Sequence, residues 1–261
     1  MARKKSLNGA ESFEAHYHEL FGDRWGTLKA ALELPVRQEP LLGPSGSTYW
    51  LDAGSFEAAN ALPLADEGRF LDMCAAPGGK SLAIARKMSS DSTLISNELS
   101  SDRKSRLIRV LDEFLEPAIR SRVTVTGRDA SKWSKFETSA YDGILLDVPC
   151  SSERHVLSSP PHLAAWSPAR IKNLAYRQWA LLSGAWLVLK PGGYLVYSTC
   201  ALSPAENDDV VQKLFQKYDD AIRIESESLG ERTQWGVHVL PDAAAGAGPI
   251  YYAILGKAEK S

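Results

Sequence analysis

Short apolar runs alternate with helix-like segments from Arg69 onward, and this alternation limits the possible folds more than any other feature. The runs include RFLDMC, TLISNEL, RVTVTGRD, YDGILLDV and GGYLVYSTC, and the segments between them include SLAIARKM and DRKSRLIRVLDEFL. Strands that alternate with helices in this way form a parallel sheet covered by helices on both faces. We therefore predict an α/β domain over residues 68–261.

The C-terminal part of this domain adds a long helix and an antiparallel edge. Apolar residues recur with a helical period between Arg170 and Leu189, and Pro191 and two glycines, which end a helix, follow. Further on, HVLP and PIYYAIL are rich in aromatic and branched residues. Because these two runs are close in the sequence, we predict an antiparallel hairpin at one edge of the sheet.

Residues 1–67 have a different pattern. The stretches SFEAHYHELFG and RWGTLKAALEL have the apolar spacing of short amphipathic helices, and the segment LLGPSGSTYW after them is rich in proline, glycine and serine. This part is too small for a convincing independent domain. We therefore expect a short N-terminal helical extension and a linker, packed on the main domain.

The composition excludes several classes of protein. With 30 basic and 32 acidic residues the formal charge is -2, which predicts no general attraction to nucleic acid or to an anionic membrane. No apolar run approaches the ~18 residues that span a bilayer, and the first residues lack the apolar region of a secretion signal. The three cysteines are far apart and form no C-x-x-C pair, which disfavours disulfides and a zinc site. We expect a cytoplasmic protein with no membrane partner and no metal.

A glycine-rich segment, DMCAAPGGK from Asp72 to Lys80, follows the first apolar run and opens a helical segment. Its small residues allow the backbone to approach a ligand, and the helix N-terminus offers free N–H groups. The spacing matches neither the G-x-G-x-x-G motif of dinucleotide-binding proteins nor the phosphate-binding G-x-x-x-x-G-K-[ST] motif. A tight turn without a ligand is the alternative at this point.

Two acidic residues follow the next two runs. Glu98 ends the second run, a position from which a carboxylate can accept hydrogen bonds from both hydroxyls of a ribose. Asp129 follows the third run, where the amino group of an adenine would lie if the ribose is at Glu98. These positions indicate an adenosyl ligand, with a solvated acid or a helix-start residue as the alternative at Glu98.

Cysteines end two further runs. Cys150 follows YDGILLDVP and Cys200 follows GGYLVYST, and the carboxyl ends of parallel strands lie at the same edge of a sheet. We therefore expect the two thiols to share one crevice with the glycine-rich turn. The alternative for any single cysteine is a small buried hydrophobic side chain. We keep that interpretation for Cys74, whereas the acid Asp147 and the proline before Cys150 favour a chemical role there.

The segments LDMCAAPGGKS, DVPCSSERH and YSTCALSPAEND together resemble the Nop/Sun family of RNA (cytosine-5) methyltransferases, which use S-adenosylmethionine. The resemblance covers residues 49–256 and includes three separate motifs in the family's order. DVPCSSERH, YWLDAGS and GPIYYAIL are most similar to the mitochondrial ribosomal-RNA branch and its bacterial relatives. The resemblance implies a Rossmann-like class I methyltransferase fold with S-adenosylmethionine as cofactor.

The resemblance also implies which residues bind the cofactor. Glu98 and Arg103 would bind around the ribose, Asp129 would meet the adenine, and Asp147 would border the cofactor. The residues of the glycine-rich turn would line the methionine part, and these are Cys74, Ala75, Ala76, Pro77, Gly78, Gly79 and Lys80.

The catalytic roles are likewise implied by the resemblance. Cys200 corresponds to the family's nucleophile, Cys150 to the cysteine that assists product release, and Asp147 to the acid that faces the target cytosine. A thiolate that adds to carbon 6 of cytosine makes carbon 5 nucleophilic, and a base must later remove the proton from carbon 5. Because only a small fraction of a free thiol is ionised at neutral pH, a nearby cation helps, and Lys80 is a candidate.

The implied substrate is a cytosine in RNA, with ribosomal RNA ahead of transfer RNA. An RNA-binding assembly factor without catalysis is the alternative from another class. Residues 101–135 carry nine basic and five acidic side chains, which either contact phosphates or form a solvated face. Arg154 and His155 either meet the target nucleotide or lie in a surface loop, and Trp166 either closes the crevice or packs in the interior. RNA recognition by the N-terminal helices, by a ribosomal particle or by a partner protein is left open.

Overall fold

The chain begins with two helices. The computed structural model describes residues 8–225 and 227–259, and our predictions for residues 1–7, 226, 260 and 261 lie outside this part. Helix α1 (Gly9–Phe21) starts at a reciprocal cap, in which the Asn8 side chain accepts a hydrogen bond from the Glu11 N–H and the Glu11 carboxylate accepts one from the Asn8 N–H. Helix α2 (Arg24–Glu33) follows. Both predicted N-terminal helices are therefore present.

The segment LLGPSGSTYW, which we expected to be a linker, belongs to a β-hairpin. Its strands are β1 (Gln38–Leu42) and β2 (Thr48–Asp52), which pair in antiparallel register. Gly46 has a φ of 82° in the connecting turn, a conformation that favours glycine. The strands are hard to recognise in the sequence because only one residue in each is fully buried.

The hairpin continues into helix α3 (Ala53–Asn60), and both belong to the main core. Asp52 caps this helix by accepting a hydrogen bond from the Ser55 N–H at 2.7 Å. Leu41 and Leu51 of the hairpin lie in the same apolar cluster as side chains of the central sheet. The hairpin is therefore fixed against the domain that carries the strands.

The rest of the chain continues the predicted alternation of strands and helices. In chain order the elements are β3 (Arg69–Asp72), α4 (Gly79–Lys87), β4 (Thr93–Asn97), α5 (Ser101–Phe114), α6 (Pro117–Arg120), β5 (Val123–Thr126), a 3-10 helix (Ala130–Lys135), β6 (Tyr141–Asp147), α7 (Glu153–Leu157), α8 (Pro160–Ala164), α9 (Pro168–Val188), β7 (Leu189–Thr199), a second 3-10 helix (Pro204–Glu206), α10 (Asp208–Lys217), β8 (Ala221–Ile224), β9 (Glu231–Arg232), β10 (Val237–Val239) and β11 (Ile250–Lys257). Within the described residues, no helix has both the length and the apolar character needed to span a membrane.

The strands form one sheet in the order β5-β4-β3-β6-β7-β11-β10-β9, and β8 pairs with β11 as well. Strands β3 to β7 are parallel to one another, whereas β11 is antiparallel to β7, β8 and β10. The predicted parallel sheet with an antiparallel C-terminal side is therefore confirmed. The predicted hairpin pairs β10 with β11, but β11 lies inside the sheet, because β7 and the unpredicted β8 also pair with it.

Apolar clusters cover both faces of the sheet. Phe70 faces one cluster and the next residue, Leu71, faces the other, as the alternation of side chains along a strand requires. A third cluster packs the N-terminal helices against the rest of the protein, and it includes Phe13, Tyr17 and Trp166. Trp166 is only 3% exposed. It is therefore a packing residue, and the alternative that it closes the crevice is wrong.

Candidate active site

The carboxyl ends of the parallel strands meet where the strand order reverses. Strands β4 and β5 lie on one side of β3, and β6 and β7 lie on the other. Ligands of open α/β sheets bind in the crevice at such a reversal. The glycine-rich turn, Glu98, Asp129, Cys150 and Cys200 follow the ends of β3, β4, β5, β6 and β7, so the fold brings them to one edge of the sheet.

The glycine-rich turn forms the floor of a pocket of about 240 Å³. Gly78 has a φ of 122°, and a Cβ atom on Gly79 would lie 2.7 Å from Cδ1 of Leu51, so glycine is required for this close approach to the hairpin. Lys80 and Asp147 line the same pocket. Of the predicted cofactor-binding residues in the turn, this pocket is lined by Cys74, Ala75, Ala76, Pro77, Gly79 and Lys80.

Asp72 also lines this pocket, and our sequence analysis did not propose it as a site residue. It is fully buried at the end of β3 and accepts a hydrogen bond from Ser81 Oγ at 2.6 Å. Its Oδ1 atom has no hydrogen-bond partner among the described residues. Burial raises the pKa of Asp72 to about 7. Its place as the last residue of the strand before the turn was the signal that pointed to it.

A larger cleft of about 670 Å³ lies beside the ends of β3, β4 and β5 and is lined by Cys74, Glu98, Arg103 and Asp129. Arg103 Nη1 lies 3.3 Å from Glu98 Oε2, and Arg103 Nη2 donates a hydrogen bond to the Ala76 carbonyl at 3.0 Å. Arg103 therefore joins the glycine-rich turn to the buried Glu98 carboxylate. Hydrogen bonds from Ser131 lower the pKa of Asp129, so Asp129 is an anion at this rim. That these residues bind a cofactor stays a prediction.

Lys80 and Asp147, which both line the pocket of the glycine-rich turn, form an ion pair. Lys80 Nζ donates to Asp147 Oδ2 at 2.7 Å, and Ser198 Oγ donates to Asp147 Oδ1 at 2.9 Å. Burial lowers the pKa of Lys80, but the charge of Asp147 and the hydrogen bond to it outweigh this effect, so the pKa is raised. A negative charge on Cys200 contributes to the same rise. Lys80 is therefore a cation that Asp147 holds in the pocket of the glycine-rich turn.

The two cysteines at the strand ends come together. Cys150 Sγ lies 2.9 Å from Cys200 Sγ, and both side chains are free thiols that are only partly buried. Ser152, which our sequence analysis did not identify, lies with its Oγ 3.5 Å from Cys150 Sγ and 3.1 Å from Cys200 Sγ. The hydrogen bond to Cys200 and burial raise the pKa of Cys150 well above its ordinary value. Cys150 is therefore a protonated thiol at neutral pH as long as Cys200 is not bonded to a substrate.

The third cysteine differs from these two. Cys74 lies between the two cavities and lines both of them. Burial and the nearby carboxylates raise the pKa of its thiol, so Cys74 is an unreactive wall of the site. Among the described residues, no group of three or more His, Cys, Asp or Glu side chains is arranged to hold a metal ion.

Arg154 does not face the crevice. Its Nη1 donates to the carbonyls of Leu32 and Leu34, at 2.7 Å each, and its Nη2 donates to the Gly248 carbonyl at 2.8 Å. These bonds tie the end of α2 to the loop before β11. The sequence offered two alternatives for Arg154, a contact with the target nucleotide or a place in a surface loop. Neither describes this structural role, because the role depends on segments that are far apart in the sequence. His155 is exposed beside His162.

Comparison with protein families gives a match over most of the chain. Residues 59–256 match the family described as 16S rRNA methyltransferase RsmB/F. The 5-cytosine rRNA methyltransferase NSUN4 of Bos taurus is 37% identical over 224 residues, which are 78% of this chain and 58% of that protein. The ribosomal RNA small subunit methyltransferase F of Aeromonas salmonicida is 39% identical over 186 residues, 70% of this chain and 38% of that protein.

A transfer-RNA enzyme is similar to a comparable degree. The mitochondrial tRNA (cytosine(34)-C(5))-methyltransferase of Danio rerio is 36% identical over 171 residues, 65% of this chain and 46% of that protein. This chain thus spans less than two thirds of the length of each of these three relatives.

Solved structures share the fold. A methyltransferase homolog from Pyrococcus horikoshii superposes with a TM-score of 0.76 at 21% identity and covers 94% of both chains. NSun6 from Pyrococcus horikoshii, solved with the S-adenosylmethionine analogue SFG, has a TM-score of 0.69 at 27% identity and covers 82% of this chain and 54% of that one. The predicted Rossmann-like methyltransferase fold is therefore confirmed.

Proposed function

Because the chain belongs to the 16S rRNA methyltransferase RsmB/F family, we propose that it transfers a methyl group from S-adenosylmethionine to carbon 5 of a cytosine in RNA, with Cys200 as nucleophile. The observation that carries this proposal is the approach of Cys150 Sγ and Cys200 Sγ to 2.9 Å beside the ion pair of Lys80 and Asp147. Paired thiols at strand ends, next to a cleft for a nucleoside, suit covalent catalysis on a pyrimidine.

The residues around the two cavities fit S-adenosylmethionine. The cleft beside Glu98 has the volume of a small-molecule site, and Glu98 and Arg103 would hold the ribose. Asp72 lines the pocket formed by the turn and its Oδ1 has no partner among the described residues, so it would accept a hydrogen bond from the ammonium group of the methionine part. S-adenosylmethionine, when bound, would supply an electrophilic methyl group. The chain's own residues orient it and activate the cytosine.

Activation of the cytosine begins at Cys200. The thiolate forms a bond to carbon 6, the double bond between carbons 5 and 6 opens, and carbon 5 becomes nucleophilic. Carbon 5 would then bond to the methyl group of the sulfonium, whose S–CH₃ bond breaks and leaves a neutral thioether. Lys80 stabilises the negative charge on the sulfur before attack. Asp147, fixed by Lys80 and Ser198, would accept a hydrogen bond from the exocyclic amino group of the cytosine and so hold the ring in place.

Release of the product requires a base, and Cys150 is placed for this role. The pKa of Cys150 is raised chiefly by its hydrogen bond to Cys200. Once Cys200 is bonded to carbon 6, its sulfur carries no negative charge, so a thiolate at Cys150 no longer faces a second anion. Cys150 would give its own proton to solvent and, as the thiolate, take the proton from carbon 5. The bond between Cys200 Sγ and carbon 6 then breaks, its electron pair returns to Cys200, and the double bond of the methylated ring is restored.

The proposed substrate is ribosomal RNA, because the matched family and two of the relatives above are named as ribosomal-RNA methyltransferases. The target cytosine must leave its stack to reach Cys200, which favours an unpaired nucleotide. Transfer RNA is the second candidate, because the relative from Danio rerio acts on tRNA at 36% identity. The presence of Cys150, Cys200 and Asp147 together argues against an assembly factor without catalysis.

The test is methyl transfer from tritiated S-adenosylmethionine to separated ribosomal and transfer RNA, followed by nucleoside analysis. We expect tritiated 5-methylcytosine in ribosomal RNA and none with the Cys200→Ala variant, while both proteins bind the methyl donor equally. Incorporation only into transfer RNA would support the second candidate. Binding of RNA and methyl donor without any incorporation would overturn the enzymatic proposal.

A further inference from the structure

Two buried carboxylates lie behind the cysteines. Glu153 and Glu206 are both fully buried. Glu153 comes shortly after Cys150 in the sequence, and Glu206 comes shortly after Cys200. The mechanism above uses neither of them, although buried carboxylates are rare and unfavourable for folding.

The two carboxylates cross between the cysteine segments. Glu153 Oε2 accepts a hydrogen bond from the Leu202 N–H at 3.0 Å, two residues after Cys200. In the opposite direction, Glu206 Oε2 accepts one from the Ser151 N–H at 3.0 Å, directly after Cys150. Each cysteine segment therefore sends a carboxylate to the backbone of the other.

Neighbouring groups hold each carboxylate in place. Glu153 Oε1 accepts hydrogen bonds from the hydroxyls of Ser151 and of Tyr17 on α1. Gln178 Nε2 on α9 donates to Glu206 Oε2 at 2.8 Å and to the Pro149 carbonyl, before Cys150, at 2.9 Å. Backbone groups on both sides of Cys150 are thus fixed.

Stability does not explain this arrangement. Within the described part of the chain, no Lys, Arg or His side chain forms an ion pair with either carboxylate. Two buried carboxylates without a cation are less favourable than apolar side chains of similar size. What the crossed hydrogen bonds provide is a fixed distance between two segments, and therefore between two sulfur atoms.

We propose that Glu153 and Glu206 are positioning residues that set the separation of Cys150 Sγ and Cys200 Sγ, and that Tyr17 makes α1 part of this support. The consequence for catalysis rests on the function proposed above. The consequence for geometry does not, because the distance between the two sulfurs can be measured without methyl transfer.

The probe is phenylarsine oxide, whose arsenic binds two thiols only when they are close together. The wild-type protein should bind one arsenical, and neither Cys150→Ala nor Cys200→Ala should bind it stably. Glu153→Met removes both acceptor oxygens, so we expect arsenical capture about tenfold slower and kcat about a hundredfold lower, with little change in KM for RNA. In Glu153→Gln the amide oxygen can accept from the Leu202 N–H while the NH₂ donates to the hydroxyls of Ser151 and Tyr17, so this variant should behave like the wild type.

Glu206 offers a conservative rescue. Both of its hydrogen bonds end on Oε2, and an amide oxygen can take that place, so Glu206→Gln should capture the arsenical like the wild type. Glu206→Met, which removes these acceptors, should behave like Glu153→Met. The matched control is Glu57→Gln, which removes a carboxylate that joins α3 to Ser228 and Leu229 and touches neither cysteine segment. It should leave capture and kcat unchanged.

Normal capture and normal kcat in folded Glu153→Met and Glu206→Met would overturn the inference. If these variants do not fold, Ser151→Ala and Tyr17→Phe each delete one hydrogen bond to Glu153, and unchanged capture in both would also overturn it. Slow capture in the variants of a protein that transfers no methyl group would support the positioning role and refute only the proposed function.

Discussion

Lys80 Nζ lies 2.7 Å from Asp147 Oδ2, so the first turn of α4 is joined to the end of β6 by an ion pair. The pair lines one side of the pocket that the glycine-rich turn also lines. This contact joins the glycine-rich turn to the segment that contains Cys150.

Asp147→Asn should reduce kcat strongly without unfolding the protein. The change removes the charge that pairs with Lys80 and places an amide NH₂ where a carboxylate oxygen now accepts a hydrogen bond, and we expect a loss of about 10²- to 10³-fold in kcat. Single-turnover methyl transfer measures it. Asp142→Asn is the matched control, because Asp142 pairs with Lys190 at 2.8 Å at the opposite end of β6, and it should keep normal kcat. Equal loss in both variants would contradict a chemical role for Asp147.

The two cysteine variants should differ in covalent trapping. Cys150→Ala removes the base and should accumulate an RNA adduct that survives denaturation, whereas Cys200→Ala should form none. A denaturing gel of labelled RNA incubated with S-adenosylmethionine detects the adduct. The double variant, which should form none, is the control. An adduct in Cys200→Ala alone would exchange the two roles.

Glu98→Gln should weaken cofactor binding. The amide accepts fewer hydrogen bonds from ribose hydroxyls than the carboxylate and loses its ion pair with Arg103, so we expect the Kd for S-adenosylmethionine to rise about tenfold. Calorimetric titration measures the Kd. Glu113→Gln, an exposed change on α5, should leave it unchanged. An unchanged Kd in Glu98→Gln would remove Glu98 from the cofactor site.

Phe13→Ala should destabilise the whole protein. Phe13 is fully buried, with ring centroids 4.6 Å from Tyr17 and 5.4 Å from Trp166. Deleting a buried phenyl ring costs about 3–5 kcal/mol of the free energy of unfolding. Urea denaturation should show one cooperative transition shifted to lower urea. The control Leu20→Ala removes a side chain that is 40% exposed, and it should change the midpoint little. A separate early transition would mean that the N-terminal helices unfold independently.

His238 should make the protein sensitive to acid. Burial lowers the pKa of His238 to about 4, so the imidazole is neutral in the folded state but protonated in the unfolded state below pH ~6.5. The stability that follows is fully present above pH ~6.5 and is lost as the pH falls toward 4, with about 2 kcal/mol lost by pH 5. Chemical denaturation at pH 8 and pH 5 should show a smaller difference for His238→Gln than for the wild type. An equal difference would contradict this assignment.

Much of the fold was predictable because its signals are local. The apolar runs of β3 to β7 and the helical period of α9 are visible in the sequence. Because β3 to β7 are parallel, their carboxyl ends all lie at one edge of the sheet. For that reason Cys150 and Cys200 could be expected in one crevice although 50 residues separate them. Strands β1, β2, β8 and β9 were missed because they are short and have at most one buried residue each.

The remaining features depend on contacts between distant segments. Nothing near Arg154 in the sequence indicates that it binds the carbonyls of Leu32 and Gly248. Likewise, nothing near Trp166 indicates that it packs against Phe13 of α1. In the sequence, Glu153 and Glu206 look like ordinary surface residues. Only the folded structure shows that they are buried.

The amino-acid order by itself therefore determined the strands, the helices and the strand ends at which reactive groups stand, because these follow from apolar periodicity and chain direction. Only the tertiary structure decided which charges meet which, such as Lys80 with Asp147, and how closely two thiols approach. Hydrogen bonds and ion pairs act over about 3 Å, and a distance that short between remote residues is set by the packing of the whole domain.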